Sequence, residues 1–567
     1  MPMIELHKLR NDLPLNTNSV MVNESSTSTS TTSSRWNTKE FYLYYVVIAL
    51  VVPYMFYITY GLSKMDHPNY HLYSHLLSEG WIFNRKVDNS DLQYAQFRNH
   101  LPLLFVLAFF YLLLSRLYHH VLIKKQKRQT NSDSSVRLKA SFHVLTSLII
   151  LTALHGTSLI KIWIIITTSY LLGRLGHDTK WNPFLTWLFN LLILFLNEYF
   201  GGYSFKSMIA SPFMDQYQGL LPRWHVFFNF TILRLISYNM DYYWKHNNLN
   251  KHHDPYEEEP TDKDRIQIPC VLQDYNYLNF LSYILYLPLY LCGPIITFND
   301  FISQLRFPSS KVTPRFIFTY ALRLAFVILL MELTLHYLYV VAISKAQAWN
   351  EAHNSPLELC MIGYFNLVII WMKLLIPWRF FRLWALGDGI YTEENMIRCV
   401  SNNFSGQRFW KSWHRSFNRW TIRYIYLPLG GSHYITLNIW IVFTFVALWH
   451  DIELKLLAWG WLICLFLLPE IIGTRLFTYK KFGSTFYYRF VCGIGAVCNI
   501  GMMMIANLVG FCLGVDGMKT MLKQIFNNSM DGFVFLISVI FCLYTAVQIM
   551  FEIRESEKRR GDPKWLM

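Results

Sequence analysis

About a dozen apolar stretches, each long enough or nearly long enough to cross a bilayer, recur along this chain of 567 residues, and they exclude most soluble folds. They occupy residues 41–62, 101–117, 141–172, 183–199, 224–244, 277–297, 316–343, 357–376, 434–449, 454–472, 490–513 and 532–551. A span needs about 20 mostly apolar residues, so these stretches predict roughly eleven to thirteen transmembrane helices, depending on how the longest divide. Composition agrees: 53% of residues are hydrophobic and 15% charged, where a soluble chain carries about 25% charged. The expected fold is all-α, a polytopic integral membrane protein with interfacial or re-entrant helices besides its spans.

The formal charge of +15 is scattered through the loops between spans. That pattern fits basic loops at lipid headgroups and argues against a nucleic-acid partner. The densest basic loop, residues 124–139, is expected on the cytosolic side. Residues 1–40 read as a disordered tail rich in serine and threonine, without the apolar core of a cleavable signal peptide. Residues 41–551 form the membrane domain and 552–567 a polar tail. All nine cysteines follow residue 269 without a CxxC or zinc spacing, and they read as buried, inert thiols. The polar insertion at 245–269 holds His252, His253 and Glu257 to Glu259, but its proline-broken loop character predicts no metal site.

The most unusual polar interruption is residues 377–432, too basic to span and too aromatic to float in water. On a helix over 409–421, Trp410, Trp413, Phe417 and Trp420 share one side, and Arg408, Lys411, Arg415 and Arg419 another. His414 and Asn418 lie on the seam. Such a surface suits an amphiphile, with an acyl chain against the rings and phosphates against the basic groups. An interfacial helix that merely anchors in lipid has the same pattern.

His450 ends the apolar run 434–449 and is followed by Asp451 and Glu453. An ionisable residue at membrane depth is a functional candidate by default. His450 can meet His414 only if the basic–aromatic segment is drawn into the protein interior. Two imidazoles in an apolar cavity suit proton removal from a hydroxyl. A histidine satisfied by a backbone carbonyl is the plainer alternative. Cys399, outside an obvious span, reads as a structural thiol, with acylation or ligation of a haem iron as the alternatives.

The string RFWKSWHRSFNRWTIRYIYLPLGGS (408–432), followed by a span ending ALWHD, resembles the membrane-bound O-acyltransferase superfamily. GWIFNRKVDNSDLQY (80–94), PRWHVFFNFTILRLISYNMD (222–241), GPIITFNDF (293–301) and WHDIELKLLAWGWL (449–462) are similar to its fungal glycerol-uptake group, relatives of hedgehog acyltransferase. The resemblance implies helices around a central tunnel. It implies His450 as general base, and His414 as the group that orients the acceptor or polarises a thioester carbonyl. The implied donor is acyl-CoA, with no cofactor required. The implied acceptor is a lyso-GPI-anchored protein or a lyso-phosphatidylinositol-type lipid, which receives a long or very-long-chain acyl group during GPI-anchor remodelling in the endoplasmic reticulum membrane. Lys411, Arg415 and Arg419 are the expected phosphate contacts on residue type alone, with Asn418 and Trp413 beside them and no metal. The same resemblance carries an older assignment, proton-coupled glycerol uptake, with the plasma membrane as a second location. Transport is disfavoured because no pair of Gly/Pro-broken spans stands in corresponding halves. A non-catalytic scaffold would leave His414 and His450 dispensable.

Overall fold

The apolar runs condense into helices whose ends follow local capping chemistry. The computed structural model describes residues 33–123, 132–210, 212–247, 260–349, 354–526 and 530–562. Most of the tail 1–40, the core of the basic loop 124–139, and His252, His253 and Glu257 to Glu259 lie outside the described residues. Ten helices among the described residues are long and apolar enough to cross a membrane, where the sequence suggested eleven to thirteen. They are Lys39–Leu62, Leu92–Val121, Asp133–His155, Ser158–Leu175, Pro314–Tyr337, Pro356–Gly387, Gly431–His450, Leu454–Leu476, Tyr488–Phe511 and Gly532–Arg559. The region 141–172 does divide into a helical pair. One short antiparallel hairpin, Leu77–Glu79 with Lys86–Asp88, pairs Leu77 with Asp88 and Ser78 with Val87.

Capping is visible at the sequence level. Ser355 and Glu358 form a reciprocal capping box ahead of Pro356, opening a helix of 32 residues. Thr313 and Asp91 accept from backbone amides at the starts of Pro314–Tyr337 and Leu92–Tyr118. The long helix runs through Pro377 to Gly387, so the first part of the stretch read as interfacial is buried helix.

Two of the remaining expected spans, 183–199 and 224–244, do form the helices Asn182–Tyr199 and Trp224–His246, but with too little apolar character to join the ten. The third, 277–297, breaks into Tyr277–Ile284 and Leu287–Tyr290. Pro288 follows the break, and Arg234 repairs it, its guanidinium donating to the carbonyls of Ile284 (2.9 Å) and Leu289. Non-helical backbone at this depth survives because protein groups satisfy it.

Arg234 belongs to Trp224–His246, which is buried around nearly its whole circumference and bonds to several neighbours. Asn239 donates to the Ser169 carbonyl at 3.0 Å, and Asn229 donates to the Trp449 carbonyl at 3.2 Å. Asp241 accepts from the Arg423 guanidinium at 2.8 Å and from the Tyr424 hydroxyl at 3.1 Å. This ion pair draws the basic–aromatic segment inward: Phe417, Trp420, Tyr424 and Ile425 are all buried. Breaking a buried pair by removing one partner strands the other charge. Arg423→Ala should therefore lower stability by about 3–5 kcal/mol, read as an earlier unfolding transition of the detergent-solubilised protein.

Candidate active site

The helix predicted over 409–421 is two helices, Gly406–Ser412 and Arg415–Thr421, and the residue between them that turns the chain is His414. Trp413 is extended, and His414 sits in the left-handed region at φ 42°. A non-glycine residue there costs about 1–3 kcal/mol and persists only when its surroundings fix it. Asn395 does so: its side-chain oxygen accepts from the His414 amide at 3.3 Å and its carbonyl from the Arg415 amide at 3.0 Å. A continuous helix would have sent those amides to the carbonyls four residues back. The first short helix is held from another element: Glu470 accepts from the Ser405 hydroxyl and, at 3.2 Å, from the Gln407 amide.

The break sets the imidazole of His414 flat against Trp378, ring centroids 4.3 Å apart at 20°. His414 is only 7% exposed, and its Nδ1 has no hydrogen-bond partner. Buried polar atoms are nearly always paired, so an orphan of this kind needs a reason. Burial, reinforced by the adjacent His450, pushes the His414 imidazole down to about 3, so the ring is neutral at physiological pH.

His450 is the last residue of the helix Ile435–His450. The preceding Trp449 is held reciprocally: its indole donates to the Asn229 carbonyl at 2.9 Å while the Asn229 side chain donates back to its carbonyl. Trp449 also packs on Phe417, centroids 4.6 Å apart, linking the end of this helix to the one that begins after His414. His450 is exposed at the end of this helix, and it lies near enough to His414 for its charge to act on that imidazole. Among the described residues nothing hydrogen-bonds to its ring. Asp451 turns extended after the helix ends and makes no hydrogen bond to His450.

The basic residues sort into two pairs. Arg415 and Arg419 both face Glu393, Arg415 at 3.5 Å and Arg419 in closer contact, so a carboxylate already neutralises part of their charge. Arg408 and Lys411 have no side-chain hydrogen bond or ion pair among the described residues. Both are exposed, like His450. Partial desolvation lowers the pKa of each, and a second cation adds to the effect, Arg398 on Arg408 and Arg408 on Lys411, while the Glu470 carboxylate acts on both in the opposite direction. Trp413 stacks on Phe409 at 5.4 Å and meets the His414 ring edge-on at 5.3 Å. The amide group of Asn418 is unengaged among the described residues. Arg408 lies on the predicted basic face but was not among the expected phosphate contacts. Asn395, Trp378, Asn229 and Glu470 carried no sequence signal at all, since their roles depend on partners distant in the chain.

The cysteines are less uniformly buried than expected. None of the nine forms a disulfide; Cys270 and Cys464 are buried, whereas Cys399 and Cys498 are exposed. Cys399 lies in a turn whose carbonyl accepts from Asn402 and Asn403.

A helical membrane domain that buries an unpartnered His414 near His450, with two cations free of ion pairs among the described residues in the same segment, offers a candidate site. Residues 179–515 match the membrane-bound O-acyltransferase family, and the chain belongs to it. It is 47% identical over 537 residues to "Membrane-bound O-acyltransferase GUP1" of Candida tropicalis, covering 93% of this chain and 89% of that protein. The Saccharomyces cerevisiae protein of the same name is also 47% identical, over 94% of both chains. More distantly, "Protein-cysteine N-palmitoyltransferase HHAT" of Mus musculus is 27% identical over 44% of this chain and 53% of its own length. The chain is thus a multi-pass membrane acyltransferase. With the Asn395 clamp removed, the His414 ring loses its fixed position, and misplacement of about 1 Å can lower a rate about 10²-fold. Asn395→Ala should show a loss of that order in acyl transfer, with normal expression and an unchanged elution profile.

Proposed function

We propose that this protein transfers a long or very-long-chain acyl group from acyl-CoA to the free glycerol hydroxyl of a lyso-phosphatidylinositol-type lipid, as in remodelling of GPI-anchor lipids in the endoplasmic reticulum membrane. The observation that carries the reading is the buried His414, whose Nδ1 has no partner, with His450 near it and with Arg408 and Lys411, which make no ion pair among the described residues, in the same segment. The names of the relatives support acyl transfer; the donor and acceptor are those that the resemblance to the fungal glycerol-uptake group implies.

In the proposed mechanism the acceptor hydroxyl donates to a ring nitrogen of His450, which takes the proton as the oxygen attacks the thioester carbonyl carbon. The carbonyl oxygen becomes an oxyanion and then reforms the double bond as the C–S bond breaks. The departing thiolate takes the proton from the His450 imidazolium. Neutral His414 has one N–H to donate to a carbonyl oxygen or hydroxyl, and its stacking on Trp378 fixes the direction of that bond. Arg408 and Lys411 pair with phosphates of the CoA moiety, a role better suited to them than to Arg415 and Arg419, which Glu393 already engages. Trp413 and Asn418 border the same path. Exclusion of water protects the thioester from hydrolysis.

Purified wild type given labelled very-long-chain acyl-CoA and lyso-phosphatidylinositol should form the diacyl lipid. His450→Ala should lower that rate by about 10²–10⁴-fold, the usual share of general acid–base catalysis, without altering the unfolding transition. The double variant Arg408→Ala/Lys411→Ala should instead raise KM for acyl-CoA by about 10-fold or more, each lost charge-assisted bond counting about 1.5–3 kcal/mol. Full activity in a folded His450→Ala protein would rule out the assigned base. Glycerol accumulation in proteoliposomes under a proton gradient, with no lipid product, would move the reading to transport.

A further inference from the structure

Away from the acyl-transfer site, three side chains from two elements converge beyond the ends of two helices. His177 and Asp178 lie in the turn after Ser158–Leu175, and His246 is the last residue of Trp224–His246. Their donor atoms all lie within 4.8 Å of one another. His177 Nε2 is 3.2 Å from one Asp178 carboxylate oxygen, and His246 Nδ1 is 3.6 Å from the other. The imidazole rings meet edge to face, centroids 4.0 Å apart.

The tautomer of His177 follows from its other nitrogen. Nδ1 lies 2.5 Å from the Arg174 carbonyl oxygen, which only accepts, so Nδ1 carries the hydrogen. In the neutral ring Nε2 then presents a lone pair towards a carboxylate oxygen, two acceptors facing each other. Either a proton on Nε2 or a metal cation between the two atoms resolves the conflict. Donation of the far ring nitrogen to a backbone carbonyl is also how metal-binding histidines are oriented. Around zinc, bonds of about 2.0–2.1 Å in a tetrahedron separate neighbouring donor atoms by about 3.3 Å, close to the 3.2 Å between His177 Nε2 and its Asp178 oxygen, and a small rotation of the carboxylate would bring the same oxygen towards His246. The frame is already set: the Asn247 side chain donates to the His177 carbonyl at 2.9 Å, tying the turn to the end of the second helix.

We propose that His177, Asp178 and His246 form a binding site for a divalent transition metal, with Zn²⁺ as the ion that fits the donor set, leaving a fourth position for water. Two imidazole nitrogens and one carboxylate oxygen suit zinc rather than magnesium or calcium. The bound ion fastens the turn 176–181 to Trp224–His246, the helix that also holds Trp449 through Asn229 and Arg423 through Asp241. The site is therefore structural and stands apart from the reaction centre.

The test uses full-length protein with a non-histidine affinity tag, in detergent, stripped with chelator and equilibrated with Zn²⁺. Metal content after dialysis should be one tightly held zinc higher in wild type than in His177→Ala/His246→Ala. Zn²⁺ should raise the unfolding midpoint of wild type but not of that variant. Asp178→Asn, at an exposed position, guards against a folding defect and should bind at least about 10-fold more weakly, no less than loss of a supporting hydrogen bond typically causes. Equal zinc content in wild type and the double variant, whether several ions or none, would overturn the proposal. So would a midpoint that Zn²⁺ shifts equally in both.

Discussion

The structure turns on one buried charge pair. Residues 408–426 carry too many cations to enter a membrane domain on hydrophobicity alone, yet much of the segment is inside. Asp241, with no exposed side-chain surface, supplies the compensating charge by accepting from Arg423 and Tyr424. A carboxylate so placed would itself be untenable without those donors. Each side of the contact makes the other possible. Because Asp241 lies on a largely buried helix, the basic–aromatic segment is pinned against the protein interior rather than along its rim.

Once the segment is inside, the way its polar groups are satisfied separates scaffold from site. Asp388, equally buried, is fully occupied: Ser115 at 2.6 Å, Tyr286 at 2.7 Å, Tyr111 at 3.3 Å and His143 at 3.4 Å surround it. That network is complete and has nothing left to offer a ligand. His414 is its opposite. Its backbone is strained, its ring is stacked in place, and its Nδ1 has no partner. His450 and the unpaired Arg408 and Lys411 share this incompleteness. Other buried polar atoms also lack partners, among them His155 Nε2 and His225 Nδ1, so what marks the candidate site is the grouping of His414 with a second histidine and two cations free of ion pairs among the described residues.

Much of the architecture was legible in the residues themselves. Apolar runs of span length, caps such as Ser355 with Glu358, and the histidine ending the 434–449 run required no knowledge of partners. Of the expected spans 183–199, 224–244 and 277–297, the first two form helices and the third breaks. A helix enclosed by other helices can carry Arg234, Asn239 and Asp241, and a chain break can be repaired by a guanidinium, so local hydropathy no longer reports burial. The predicted continuous helix over 409–421 failed similarly. Its pattern is helical on both sides of His414, and only Asn395, 19 residues earlier, diverts the amides at the break.

The sequence by itself determined the solvent, the helical class and the two histidines, because each is written in local composition and order. Tertiary structure decided which cations remain free. Arg408, Lys411, Arg415 and Arg419 are alike on a helical wheel, and Glu393 pairs with the last two while the first two stay exposed without an ion pair among the described residues. It also decided that His177 and Asp178 would meet His246 across a gap in sequence that no spacing rule covers. The physical reason is the same in both cases: charge compensation and ligand geometry depend on distance in space, and packing alone sets that distance for residues far apart in the chain.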